Sequence, residues 1–494
     1  MYERRDFLRA LGLLALAPYA CTRERRRATG TLVNDIHSQL NPTRVTDIVS
    51  PDSVEAIRDV VREARRGGRA LSIAGGRHAM GAQQFGTDTV LVDTLKLNRV
   101  LNFDPEAGTI EVQAGIQWPE LIDSYLATQG DQPHPWGIAQ KQTGADRLCI
   151  GGTLAANAHG RVLTRQPIVG DVESFVLVDG HGDVHTCSRT ENAELFRLVI
   201  GGYGLFGVIA SVTLRLIPRQ KIERIVEVFS IGDLIPAFER RIADGFLYGD
   251  FQFATDDASD DFLRQGVFSC YRPVDAATQI PEGQQKLSDE DWRNLLTLAH
   301  ADKAQAFDRY ASYYLSTSDQ IYWSDTHQLS TYLDDYHRPL DQALGAAERA
   351  TEVITEIYVP RLELAEFMAE VADDFRANGV SVIYGTVRLI ERDDESFLAW
   401  AKDSYACTIF NLHTVHTPAG LEHSAQAFRR LIDMAMRRNG SYFLTYHKYA
   451  RRDQVEACYP QFPEFLRLKQ QYDPEERFQS DWYRHYRTMF ADAM

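Results

Sequence analysis

Short β-branched runs that end in glycine clusters constrain this chain more than any other feature. ALSIA (70–74) runs straight into AGGRHAMGAQ (74–83), TIEVQAG (109–115) stops on Gly115, and IGGTLAANAHG (150–160) carries small side chains almost without interruption. Glycine lets backbone turn tightly and approach a ligand closely. The Gly75-Gly76 turn therefore predicts a loop whose amides can face phosphate oxygens, and the 150–160 run predicts a backbone surface fit for a flat aromatic ligand. Around these segments helix and strand patterns alternate. Val54, Ile57, Val60, Val61 and Ala64 recur at helical spacing after an Asp52/Glu55 capping box and before Gly67-Gly68. VESFVLVDGHGDVHTCS (172–188) reads as a hairpin turning at 179–183, and VIASVTLRLIP (208–218) as a long strand. Residues 40–220 thus form one α+β unit.

GGYGLFG places Gly202, Gly204 and Gly207 in a dinucleotide-like spacing, but a helical pattern precedes it and a strand follows. The Rossmann order is strand then helix, so this cluster reads as a turn. After Pro218 the texture changes. LELAEFMAEVADDFRANG (362–379) is helical, flanked by strands ITEIYVPR (354–361) and VSVIYGTVRLIE (380–391), which predicts a second α+β unit over 221–440. PEGQQKLSDEDW (281–292) reads as a surface loop, and the aromatic run 319–337 as either pocket lining or core cover.

The balance of 53 basic against 69 acidic residues gives a net charge of −16, with no basic stripe after residue 30, which disfavours nucleic acid as a partner. Cysteines 21, 149, 187, 270, 407 and 458 form no Cys-x-x-Cys pair, against a disulfide scaffold, zinc or an iron–sulfur cluster. His413 and His416 in NLHTVHTP lack a carboxylate or cysteine at a supporting spacing, so no metal site is expected. The leader MYERRDFLRALGLLALAPYACTRERRR sets Arg4 and Arg5 before an apolar run at 10–17 and reads as a twin-arginine export signal. That run is far below the roughly 18 apolar residues of a spanning helix, so an exported, periplasmic protein without an integral span is expected. Cys21 follows Pro18-Tyr19-Ala20, a poor match to a lipoprotein site, and lipid anchoring there stands as an alternative to cleavage near Ala20.

Taken in order, ALSIAGGRHAMGAQ, TIEVQAGIQWPELIDSYL, CIGGTLAANAHG, GDVESFVLVDGHGDV and ENAELFRLVIGGYGLFGVIASVTLRLIP resemble the vanillyl-alcohol oxidase family, whose FAD-binding domain is of the PCMH type. The resemblance implies two α+β subdomains clasping FAD, a substrate-binding cap, and a C-terminal segment, here KQQYDPEERFQSDWYRHY (469–486) within 441–494, that returns to the FAD domain. It implies an FAD-dependent oxidoreductase in which a substrate carbon gives hydride to flavin N5. Carried over by position, Ala74, Gly75, Gly76, Arg77, His78, Ala79 and Met80 match the pyrophosphate loop, with His78 where many members bond covalently to the 8α-methyl of FAD. Gly144, Cys149, Gly152, Ala156, Asn157, Ala158 and His159 match a second FAD-contacting stretch, and Ile209 a position near adenine. Cys149 departs from the spacing of a second, cysteinyl bond and is expected to be a buried small residue.

In the cap, Arg388 matches an arginine that contacts flavin and polyol in sugar-alcohol and aldonolactone oxidases, but Thr386 stands where those enzymes have an acid. Lys448 resembles a lysine near flavin N1, and His447 beside it is a candidate base. Asp146 is the nearest match to the catalytic aspartate of cytokinin dehydrogenases, although it lies closer to the glycines. The expected substrate is a sugar, polyol or lactone. Alternatives are a cytokinin-like amine, a nicotinamide-linked reductase or a non-enzymatic exported binding protein, with oxygen, quinone or cytochrome as electron acceptor for an enzyme.

Overall fold

A computed structural model describes residues 30–494 apart from 131, 331, 332 and 334. The twin-arginine segment and Cys21 lie outside the described residues. Helix Val54–Arg66 begins one residue later than the sequence suggested: Ser53, not Asp52, caps it, accepting from the Ala56 N–H. Ile57, Val61 and Ala64 are buried in a core with Leu71, Val92, Val178, Val208 and Phe478. Each such side chain taken out of water contributes about 1.5–3 kcal/mol before entropy is counted.

The N-terminal unit holds two main sheets. Asp47–Val49, Val90–Asp93 and Leu71–Ala74 pair in parallel with Val90–Asp93 central. The second sheet is antiparallel, ordered Val184–Ser188, Val172–Val178, Val208–Pro218, Thr109–Gln113, Val100–Asp104, and Trp136–Ile138 also pairs with Val208–Pro218. Helix Ala193–Val199 precedes GGYGLFG and strand Val208–Pro218 follows it. A β-carbon on Gly207 would stand 2.6 Å from Val178 O, so this glycine serves close strand packing.

Residues 221–442 contribute an eight-stranded sheet, ordered Ile321–Trp323, Lys221–Ser230, Gln265–Pro273, Tyr248–Phe253, Val382–Ile390, Tyr405–Val415, Ala350–Pro360, Ser441–Tyr442. Helices Leu234–Ala243, Leu364–Asn378 and Pro418–Met436 cover one face, where Phe238 meets Phe268 and Phe375 meets Phe410 edge-on. Helices Asp289–Ala301 and Lys303–Ser316 lie over part of the other face, where Phe307, Ala311 and Tyr314 pack on Val226 and Val267, and leave the rest of it open. The first starts at a Ser288/Asp291 capping box, so the expected 281–292 loop ends four residues early. The chain then returns to the N-terminal unit: Phe478 bridges Leu71, and the Gln479 N–H donates to Leu71 O.

Candidate active site

Between the N-terminal sheets and the open face of the eight-stranded sheet lies a cavity of about 1080 Å³. This is at the top of the usual range for small-molecule sites, with room for a dinucleotide and a substrate. Its N-terminal wall is the loop after strand Leu71–Ala74, and Gly75, Gly76, Arg77, His78, Ala79 and Met80 all face it. Ala74 instead is buried at the strand end, where its carbonyl accepts from Thr94 Oγ1 at 3.2 Å. The loop turns sharply because Arg77 takes φ +60°, with its guanidinium held by Asp93 at 2.9 Å. A β-carbon on Gly75 would stand 2.9 Å from Cys149 Sγ, and one on Gly76 would strike Arg147 O, so the loop can lie this close to 147–149 only with glycine. Burial pushes the Cys149 thiol up to about 12, consistent with an unreactive small residue.

Gly144, Cys149, Gly152, Ala156 and Ile209 line the same cavity. Gly152 lies on helix Ile150–Ala156, and a β-carbon there meets nothing within 4 Å. The last three residues of the small run turn away. Asn157 donates to Asp393 Oδ2 at 2.8 Å, Ala158 is buried, and His159 reaches Glu356 Oε2 at 2.9 Å and tilts against Trp400. Their contribution is to the scaffold behind the wall.

The His78 ring is engaged at both nitrogens: Nδ1 lies 2.8 Å from His37 Nε2, and Nε2 lies 3.0 Å from Arg147 O. A carbonyl only accepts, so Nε2 carries the proton and Nδ1 accepts from His37. Burial, with His337 adding to it, lowers the His37 pKa to about 4, which leaves that imidazole neutral.

The cap wall follows from strand alternation. Asp250 and Gln252, then Tyr384, Thr386 and Arg388, then Ile409 and Asn411, then Glu352, Ile354 and Glu356 project from four neighbouring strands into the cavity. Thr386 pairs with Ile409, which pairs with Glu356, so an acid does sit in line with Thr386, two strands away. Sequence reasoning missed Glu356, because two of its partners are distant in the chain, Tyr446 at 2.9 Å and His159, while only Tyr358, at 2.8 Å, is a near neighbour in the sequence. Burial alone would raise its carboxyl, but His159, the Tyr358 hydrogen bond and the Arg388 charge bring it below the usual range.

Also missed was a charged and aromatic pocket beyond this row. Arg161 and Arg224 lie over the Tyr271 ring at 5.0 and 5.2 Å, beside Asp250 and the buried His327. Burial first, then these two arginines, push the His327 imidazole well below its ordinary value. The 319–337 run does line the cavity, through Tyr322, His327, Leu329 and Tyr336 among others. Asp146 faces it too, but is bound to the fully buried Lys141 at 2.6 Å and accepts from the Ser330 N–H at 3.0 Å.

His447 and Lys448 require a correction. Both line a separate small pocket with Asn41, Thr43 and Asp481, not the main cavity. His447 stacks on Phe428 at 4.4 Å, and burial, helped by Arg429, lowers its pKa to about 3. Its neighbours in the fold are core aromatics, which a local reading of TYHKY could not reveal.

The tight glycine loop and the open volume at Gly152 suit a dinucleotide, and the cavity continues past them to the cap row. Residues 46–188 match the family model described as FAD binding domain. The chain therefore carries a PCMH-type FAD-binding domain in an α+β fold. It is similar to the L-gulonolactone oxidase of Bos taurus, 30% identical over 34% of this chain and 37% of that protein. Cytokinin dehydrogenase 3 of Oryza sativa subsp. japonica is 28% identical over 36% of this chain and 34% of its own length. The L-gulono-1,4-lactone dehydrogenase of Mycobacterium tuberculosis (strain ATCC 25618 / H37Rv) is 23% identical over 88% of this chain and 95% of that protein. The chain thus spans only about a third of the bovine and rice relatives.

Proposed function

We propose that this protein is an exported FAD-dependent oxidoreductase that oxidises a hydroxyl-bearing small molecule of the sugar, polyol or aldonolactone class. The observation that carries this reading is the cap row. Asp250 Oδ1, Gln252 Oε1, Thr386 Oγ1 and Arg388 Nε are buried at one cavity wall without hydrogen-bond partners among the described residues. Unmatched buried donors and acceptors cost about 1–3 kcal/mol each, and a ligand with several hydroxyls satisfies them together. The loop 75–80 and the 149–156 stretch would hold FAD, which would supply a two-electron acceptor for hydride. Arg388 orients the substrate oxygen with its fixed donors. Glu356 complements that charge, and its depressed basicity suits positioning better than proton removal. Tyr271, Tyr314 and Tyr384 exclude water and offer ring faces. Asp146, already committed to Lys141, is a poor base for amine oxidation.

Anaerobic mixing with a panel of sugars, polyols, lactones and aromatic amines tests the reading: a hydroxyl compound is expected to bleach the flavin, and reoxidation by oxygen, quinone or cytochrome then names the acceptor. Bleaching by amines alone, or by NADPH alone, overturns the substrate class, and colourless protein that cannot be reconstituted with FAD overturns the enzyme reading.

The same reading has His78 hold FAD covalently. Acid-precipitated wild-type protein is expected to stay yellow and show the mass of one attached FAD, whereas His78→Ala releases all flavin on denaturation. Complete release from wild-type protein matured with ample FAD refutes the bond. For export, Arg4→Lys with Arg5→Lys keeps the charge but removes the paired guanidinium signal, so the precursor is expected to stay in the cytoplasm. Unchanged export of that variant contradicts the twin-arginine route.

A further inference from the structure

Glu352 stands on strand Ala350–Pro360 directly opposite His413 of Tyr405–Val415. Three imidazoles converge on its buried carboxylate. His300 Nε2 lies 2.8 Å from Oε1, His337 Nδ1 3.0 Å from Oε2, and His413 Nδ1 3.5 Å from Oε1. They arrive from separate elements: His300 from helix Asp289–Ala301, His337 from helix His337–Ala343, and His413 from the neighbouring strand.

With neutral rings, the protons do not suit a plain hydrogen-bond network. His300 Nδ1 lies 2.9 Å from Leu296 O, and a carbonyl only accepts, so the single proton of a neutral ring sits on Nδ1. Its Nε2 then aims a lone pair at a carboxylate oxygen 2.8 Å away. His337 Nδ1 approaches Oε2 without the alignment of a hydrogen bond. Oε2 is already served by the Tyr336 hydroxyl at 2.6 Å. Protonating all three rings would crowd three positive charges around one negative in a buried corner. A single cation among His300, Glu352 and His413 satisfies their facing lone pairs together.

We propose that His300, Glu352 and His413 bind one divalent late first-row transition-metal cation of the zinc class, with His337 beside the second oxygen of the carboxylate. Imidazole nitrogen with one carboxylate is a donor set for such ions, whereas calcium and magnesium take oxygen. The ligand atoms of His300, Glu352 and His413 lie within 4.8 Å of one another. Tetrahedral bonds of about 2.0–2.1 Å put ligand atoms about 3.3 Å apart, within reach of small ring rotations. The surroundings also match a metal centre, in which an outer carbonyl fixes the tautomer of a ligating histidine and a hydroxyl steadies the carboxylate. Leu296 O and Tyr336 fill those two roles. By contrast, the buried His159, Glu356 and Cys407 group has only one imidazole, and its thiol stands 3.8 Å away from the carboxylate.

The local sequence around His413 and His416 offers no carboxylate. Cross-strand pairing supplies it, and His416 departs to Thr351 Oγ1 at 2.9 Å. Glu352, Leu296 and Tyr336 also line the main cavity, so the ion would pin the helix and loop walls of the cap to its sheet. This inference is independent of what the cavity oxidises.

The test uses the full protein as purified, stripped with a chelator and dialysed against Zn²⁺. Elemental analysis is expected to find one zinc per chain, and zinc X-ray absorption a nitrogen and oxygen shell near about 2.0 Å without sulfur. Glu352→Gln and His413→Asn are each expected to weaken zinc at least about tenfold in a competition titration, a ligand being lost, while His416→Asn leaves it unchanged. Wild-type protein that retains no zinc, a shell containing sulfur, or affinity unmoved in both ligand variants overturns the site. The absorption spectrum of the wild-type protein decides the matter even if a variant fails to fold.

Discussion

Gly152→Phe is expected to give a well-folded protein that purifies without flavin. An added β-carbon at this position meets no atom within 4 Å, and the residue is helical and faces the cavity. The host helix loses nothing, since phenylalanine has a better helix propensity than glycine by a few tenths of a kcal/mol. Stability should therefore change by no more than about 0.5 kcal/mol, as for other substitutions that touch no packed neighbour. The ring would occupy the volume in which a dinucleotide must lie. FAD affinity should fall at least about 100-fold, roughly 2.8 kcal/mol. Thermal unfolding and the flavin absorbance of the same preparation check both halves: full flavin content in a folded variant would place FAD elsewhere. Gly75 and Gly76 cannot serve this test, because β-carbons there strike Cys149 and Arg147 and would disturb the loop itself.

Arg388→Ala is expected to lower turnover by about 10²–10³-fold with flavin content unchanged. The side chain is 7% exposed, its Nε has no partner among the described residues, and it stands on the cap wall, whereas the residues expected to hold FAD line the N-terminal side of the cavity. Losing one buried donor aimed at a reacting oxygen typically costs about 2.7–4 kcal/mol of transition-state stabilisation. Arg388→Lys should recover only part of the loss, since an ammonium keeps the charge but not the fixed fork of donors. Steady-state kinetics beside the flavin spectrum make the measurement. Normal turnover by Arg388→Ala would remove the cap row from the reaction.

Glu356→Gln would provide a separate control on charge positioning, because Tyr358, Tyr446 and His159 all depend on that carboxylate. Its consequences cannot be read from VITEIYVP, where Glu356 is simply one polar residue in a strand. The same holds in reverse for His447. TYHKY offers two ionisable side chains in a row, yet the fold stacks the histidine on Phe428 and sends both residues to a pocket away from Arg388.

Local features determined by the sequence were those that act within a few residues. Strand Val208–Pro218 and the hairpin of Val172–Val178 with Val184–Ser188 follow from β-branched runs and a Gly-Asp turn, and the 74–80 loop from glycines that alone permit its close approach to 147–149. The order of these segments was enough to identify an FAD-binding domain. The cap chemistry was decided by the tertiary structure. Glu352 meets His413, and Glu356 falls in line with Thr386, only through the register of antiparallel strands from distant parts of the chain. His300 and His337 join them only because one helix ends and another begins beside that carboxylate. A one-residue slip of register would turn the strand side chains among them to the opposite face, and nothing in a single strand's own pattern names its neighbour, which is why the carboxylates and imidazoles that meet in this protein became visible only in the folded chain.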